Sequence, residues 1–194
     1  MVYYKSGVMS LCPNLTKEHD MNTSMREPGV FSREELQKNL ALLQSKNGID
    51  RQKARIALVT LGSPAVDYLA ELATHPEDKI RWEAVKGLGQ IMDPITAPLL
   101  INALEDENTA IRWLAAEGLI RLKKNGLIPL LESLIGQKLT VYLREGAHHI
   151  LKAMALRYHS GEFDELIKDL ETTTDHSQVP IHAQLIMEKL NPAG

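Results

Sequence analysis

A single cysteine, Cys12, occurs in the 194 residues. No disulfide can close within the chain and no cysteine-based zinc site can assemble, so a reducing, cytoplasmic setting is expected. Aromatic residues make up 5% of the sequence, which leaves the core to Leu, Ile, Val and Ala. No apolar run approaches the ~18 residues needed to span a bilayer. The opening stretch MVYYKSGVMSLCPNL is too short and too interrupted for the core of a secretion signal. Leu11 also precedes Cys12 where a lipid-anchor signal has a small residue. Membrane insertion is therefore not expected. Nor is there a basic excess: 22 Lys and Arg stand against 25 Asp and Glu, for a net charge of −3. That balance argues against a dedicated nucleic-acid binder.

Motifs of catalysis are missing as well. There is no GxSxG, P-loop, GxGxxG or HExxH. His148 and His149 are adjacent, so on a helix they point about 100° apart and cannot chelate one ion from one face. Cys12 has no base nearby in sequence to activate it. No catalytic residue, metal site or cofactor is expected. The basic clusters Arg51, Lys53, Arg55 and Arg121, Lys123, Lys124 lie among acidic neighbours and read as solvated faces.

What the sequence does contain is helix after helix. Residues 1–30 show no sustained period and read as a poorly ordered tail, leaving 31–194 as the folded domain. Met9, Met21 and Met25 are alternative starts. The first clear helix opens at Ser32 with a capping box to Glu35, Phe31 stapling onto Leu36. Asn47-Gly48 is expected to give its left-handed exit. Helical segments then alternate with breaks at Gly62-Ser63-Pro64, His75-Pro76, Asp93-Pro94, Asn125-Gly126 and Ser160-Gly161. No segment alternates with period two, so the chain is expected to be all-α.

The segments repeat. Ile80-Arg81-Trp82 returns as Ile111-Arg112-Trp113 after 31 residues, and Ala97–Leu100 returns as Ile128–Leu131 at the same spacing. Leu143-Arg144 continues the phrase. Towards the N-terminus, Ala57–Gly62 matches Ala84–Gly89 at a spacing of 27. In that register Ala54 takes the Arg position and Arg55 the Trp position. The last copy is degenerate, with Pro180, Ala183 and Met187 at the Arg, Ala and Leu positions. Five helix pairs are expected, over 32–62, 64–92, 95–124, 127–159 and 162–191. A single hairpin cannot bury its apolar face alone; stacked neighbours can. A glycine inside a helix costs ~1 kcal/mol relative to alanine. Gly87 and Gly118 at equivalent positions therefore imply close packing.

The phrase Ile80, Arg81, Ala84, Leu88, Gly89, followed by Asp93-Pro94, Leu99-Leu100, Ala103-Leu104 and Asp106, resembles the HEAT-like repeat of the phycobilisome-lyase type. The likeness is good over 78–136, fair over 50–77 and 137–170, and weak at both ends. It implies a right-handed α-α superhelix, or solenoid, with the second helix of each pair on the concave side. It also implies a protein-binding role, since most members bind proteins. Some relatives are enzymes, among them bilin lyases, a deoxyhypusine hydroxylase and certain DNA glycosylases. The repeat motif itself is scaffold and carries no catalytic residue to this chain.

Two sets of residues follow from the repeat. Arg81, Arg112 and Arg144 share one position and are expected to form a structural ladder, each pairing with carboxylates or carbonyls near a turn. Arg55, Trp82, Trp113 and Glu145 form one row on the concave face. Val59, Lys86, Glu117 and His149 form the next. Trp82 and Trp113 lie about 200° around their helices from Ile80 and Ile111. Exposed Trp beside charge is the composition of a binding hot spot. The alternative is that each Trp fills a seam between repeats, and the usual burial of Trp leans that way. The function expected is a non-catalytic scaffold or adaptor that holds a protein or peptide along the concave face. The alternatives are an accessory enzyme of the bilin-lyase kind or a nucleic-acid binder on the same scaffold.

Overall fold

The computed structural model describes residues 32–158, 161–172 and 175–190. The expected tail, the Phe31 staple and the break at Ser160 lie outside them. The described residues hold ten α-helices: α1 (Arg33–Leu43), α2 (Gly48–Leu61), α3 (Val66–Leu72), α4 (Asp78–Ile91), α5 (Ala97–Ala103), α6 (Thr109–Leu122), α7 (Lys124–Gly136), α8 (Val141–Tyr158), α9 (Asp164–Glu171) and α10 (Val179–Leu190). The short helices α3, α5 and α9 are each entered through a 3-10 turn. The fold is an α-α solenoid of HEAT-like helix pairs.

Ser32 caps α1 in a full capping box with Glu35. The exit differs from the expectation. α1 ends at Leu43, and Asn47-Gly48 opens the next helix instead: the Asn47 side chain accepts from the Ile49 N–H at 3.0 Å. An Asn-Gly pair serves either end of a helix, and here the bonding of Asn47 makes it an N-cap. A second boundary moves too. α6 stops at Leu122, and the chain reverses at Lys123 (φ 57°, ψ −127°). Asn125 and Gly126 fall inside the first turn of α7 rather than between helices. A Cβ on Gly126 would lie 2.3 Å from the Leu119 carbonyl oxygen. The glycine is thus required by close approach of α7 to α6.

The core is one continuous column of aliphatic side chains, among them Leu58, Ile80, Leu88, Leu100, Ile111, Leu119, Leu131 and Ile150, each at most 1% exposed. The second helices α2, α4, α6 and α8 pack directly on one another in sequence order, whereas α3 barely touches α1 or α5. Crowding is tightest where α4 crosses α6. A Cβ on Gly118 would come within 3.0 Å of the Gly89 Cα and 2.8 Å of Leu100 Cδ1. The fifth pair departs from the pattern: α10 packs on α7 as well as α9 and leaves the row of second helices at α8. Lys124 Nζ donates to the Leu190 carbonyl at 3.0 Å across that contact.

The register at the N-terminal end is also corrected. Arg51, Arg81, Arg112 and Arg144 are each the fourth residue of α2, α4, α6 and α8. The spacing from the first copy to the second is therefore 30, not 27. Ala54 matches Ala84, both buried, and does not stand at the Arg position. Three residues is close to one helical turn, so either register keeps the same apolar face and the pattern alone could not separate them.

Candidate binding face

The corrected register aligns Gln52, Trp82, Trp113 and Glu145 as one row across the second helices. Ile56, Lys86, Glu117 and His149 form the next. Arg55 is not a free group on this face. It is 4% exposed, donates from Nε to Glu83 Oε2 at 2.8 Å and also donates to the Gln90 amide oxygen. Glu83 is itself buried, so the pair ties α2 to α4. Buried charge is tolerated when it is paired in this way.

The two tryptophans part company. Trp82 is half-buried, packs on the core and carries the Lys86 ammonium over its ring at 4.2 Å. Trp113 is 54% exposed. Its ring lies against the His149 ring, centroids 4.6 Å apart and tilted by 40°. His149 Nε2 is 3.3 Å from Glu117 Oε1. Three of the expected binding residues, from α6 and α8, thus meet in one cluster. Glu145 is exposed on the same row. Towards the N-terminus the face opens into a shallow groove of about 560 Å³, where Ile56, Val59, Lys86 and Arg121 line the walls. Ile56 is 52% exposed. Arg121, in the last turn of α6, makes no ion pair among the described residues. The expectation did not include Ile56, because the 27-residue register put Val59 in its place, and it took Arg121 for part of a solvated basic face.

The arginines stand one residue before the Trp82–Trp113–Glu145 row, in the first turn of the same helices, and reach back to the inter-helix turns. Arg81 donates to both Asp106 oxygens, at 2.8 and 3.1 Å, to Glu107 at 3.2 Å, and to the carbonyls of His75 and Pro76. The hydrogen bond with Asp106 raises its pKa further above the ordinary value. Arg112 donates to the carbonyls of Asp106 and Glu107 and to Thr109 Oγ1, and lies 4.1 Å over the Tyr142 ring of the next repeat. Arg144 reaches the carbonyls of Leu170 and Thr172. Arg51, missed by the shorter register, does the same for Ser45 and Lys46. An asparagine or other cap four residues before the helical Arg would have signalled it.

No group of three or more His, Cys, Asp and Glu side chains is placed to hold a metal ion among the described residues. None of the described helices is long and apolar enough to cross a membrane. Outside the face, His148 and Lys152 bond Glu171 at 3.1 and 3.2 Å, and these contacts, the histidine first, hold the Glu171 carboxyl below its usual pKa.

Comparison with known proteins agrees with this architecture. The family model described as HEAT repeats matches residues 36–104 and again 69–152. No curated protein matches the chain. Among solved structures, the complex of CpcE and CpcF of phycocyanin lyase from Nostoc sp. PCC7120 is similar over 80% of this chain and 99% of that one, at 23% identity and a TM-score of 0.52. An engineered protein is similar over 82% of this chain and 80% of its own, at 19% identity and a TM-score of 0.41. At 23% identity the likeness to the lyase complex concerns the fold. With more than half of its length matched by the repeat model and its helices stacked as pairs, the chain belongs to the HEAT-repeat family.

Proposed function

We propose that this HEAT-repeat scaffold is a non-catalytic adaptor that holds a protein or peptide against the face formed by α2, α4, α6 and α8. The observation that carries the reading is Trp113. The side chain with the most apolar area to bury stands 54% exposed, backed by a histidine that is in turn held by a glutamate. Aromatic anchors kept rigid at the centre of a polar surface are the groups that dominate protein interfaces. The surroundings fit a contact surface better than a reaction site. The groove is open and shallow, and no nucleophile–base pair faces it.

A second reading, an accessory role in bilin attachment, draws on the name of the similar lyase complex. At 23% identity that likeness supports the fold alone. It would require a deep apolar cavity with convergent polar groups, whereas the groove on this face is shallow and mixed in character. The test is capture from the native host with the full chain and with Trp113→Ala. The adaptor reading expects one or more proteins retained by the wild type and lost by the variant at an unchanged melting temperature. Equal capture by both proteins would remove Trp113 from the site. Visible absorbance acquired on mixing with a free bilin, with no protein captured, would favour the second reading.

A further inference from the structure

We infer that the groove across α2, α4 and α6 takes an acidic peptide segment bearing a bulky apolar side chain. The inference rests on the adaptor reading and names the partner's chemistry. Its basis is an imbalance of charge. Two cations line the groove without a carboxylate partner among the described residues: Lys86, which lies over Trp82, and Arg121. The third, Arg55, is neutralised by Glu83 at 2.8 Å. The nearest acid on the row, Glu117, is turned to His149. In a chain of net charge −3, a positive strip of this kind is local and directional. It attracts carboxylates and orients them at encounter. On the α2 wall of the same groove, Ile56 is 52% exposed and Val59 half-buried, giving an apolar side chain a place to lie beside the cations. The length of the segment follows from packing distances. Helices pack ~8–10 Å apart, so three of them span ~18 Å, which ~6 extended residues cover. A nucleic-acid strand fits less well. Two uncompensated cations neutralise few phosphates, and the aliphatic floor offers no stacking partner for a base.

The test is selection from a display library of random peptides about eight residues long on the full chain, followed by affinity measurement of the enriched peptides on three proteins: wild type, Lys86→Glu/Arg121→Glu, and Trp113→Ala. Arg121→Ala replaces the charge-reversed protein if the latter loses its helix signal. The expected result is enrichment of peptides with acidic excess and one large apolar residue, whose Kd rises at least about tenfold on charge reversal, the loss of roughly one exposed-to-half-buried ion pair in a complex. Added salt should weaken them. Enriched peptides without acidic excess that are lost on Trp113→Ala would overturn the inference and leave the binding face standing. Peptides indifferent to all the changes would overturn both. Failure to enrich any peptide would overturn the inference, as would an oligothymidylate that binds wild type more tightly than the best peptide and is lost on charge reversal.

Discussion

Replacing Arg81 by Ala should be the most damaging of the ladder changes. Its side chain is 10% exposed and that of Asp106 9%, so the pair is close to fully withdrawn from water. The guanidinium bonds both Asp106 oxygens and two backbone carbonyls. Removing it leaves a buried carboxylate with the Asn108 N–H at 2.8 Å as its remaining donor. It also leaves the His75 and Pro76 carbonyls without that donor. Breaking a buried pair from one side costs ~3–5 kcal/mol. The surviving Asn108 bond and water entry at the edge put the estimate near the lower end, ~3 kcal/mol. Arg112 is half-buried and bonds carbonyls and a hydroxyl rather than a buried carboxylate, so Arg112→Ala should cost less, ~1–2 kcal/mol. Arg81→Lys keeps the charge but not the planar fork, and should fall between wild type and Arg81→Ala. Urea denaturation followed by far-ultraviolet circular dichroism measures all three. The m-value needs checking, because a repeat array that unfolds in stages shows a lowered slope. Equal losses for Arg81→Ala and Arg112→Ala, or a loss below ~1 kcal/mol at Arg81, would refute the assignment of the ladder's strength to the Asp106 pair.

The tryptophans should separate in the same assay: Trp82→Ala, which strips the core of a packed ring, should cost more than ~2 kcal/mol, and Trp113→Ala under ~1 kcal/mol; comparable losses would mean both are seam residues. Two changes near the α6–α7 reversal should have opposite signs. Gly126→Ala sets a methyl against the Leu119 carbonyl and should lower the melting temperature. Lys123→Gly relieves a positive φ and should raise stability by up to ~1 kcal/mol. Asp93 accepts from Ser63 and from the Ile95 N–H, which lower its pKa, the Ser63 bond most. Its contribution is complete above the unfolded value of ~4 and is lost as pH falls through the lower native value. NMR titration should show the Asp93 carboxyl moving back towards ~4 in Ser63→Ala, and an unchanged titration would dissociate the two side chains.

The solenoid was legible in the sequence because two levels agreed. The Ile-Arg-Trp phrase fixed the period between α4 and α6, and the helical apolar spacing fixed which faces are buried. Arg81, Arg112 and Arg144 could be aligned for the same reason. The first repeat was misread because Ala57–Gly62 and Ala54–Val59 both place small and apolar residues on the buried face, one turn apart. That slip put Arg55 on the open face when it is buried against Glu83. Asn47-Gly48 and Asn125-Gly126 were misread because the same dipeptide suits a helix exit and a helix entrance, and what decides is contact with the neighbouring helix. Part of the difference between Trp82 and Trp113 is local, since Lys86 stands one turn after Trp82 and covers its ring whereas Glu117 stands one turn after Trp113. Trp113 meets His149 on α8 in place of a ring-covering lysine, and that depends on which residue the next repeat brings opposite.

Trp113 fluorescence gives the most direct measurement of the central claim. Trp82→Phe leaves Trp113 as the sole tryptophan of the chain. With that protein free, the half-exposed indole should emit at long wavelength. On titration with a protein captured by the wild type, the account predicts a saturable shift to shorter wavelength as the ring leaves water, with the same midpoint as binding measured independently. Full binding without any change in Trp113 emission would contradict the claim that the second-helix face is where the partner sits.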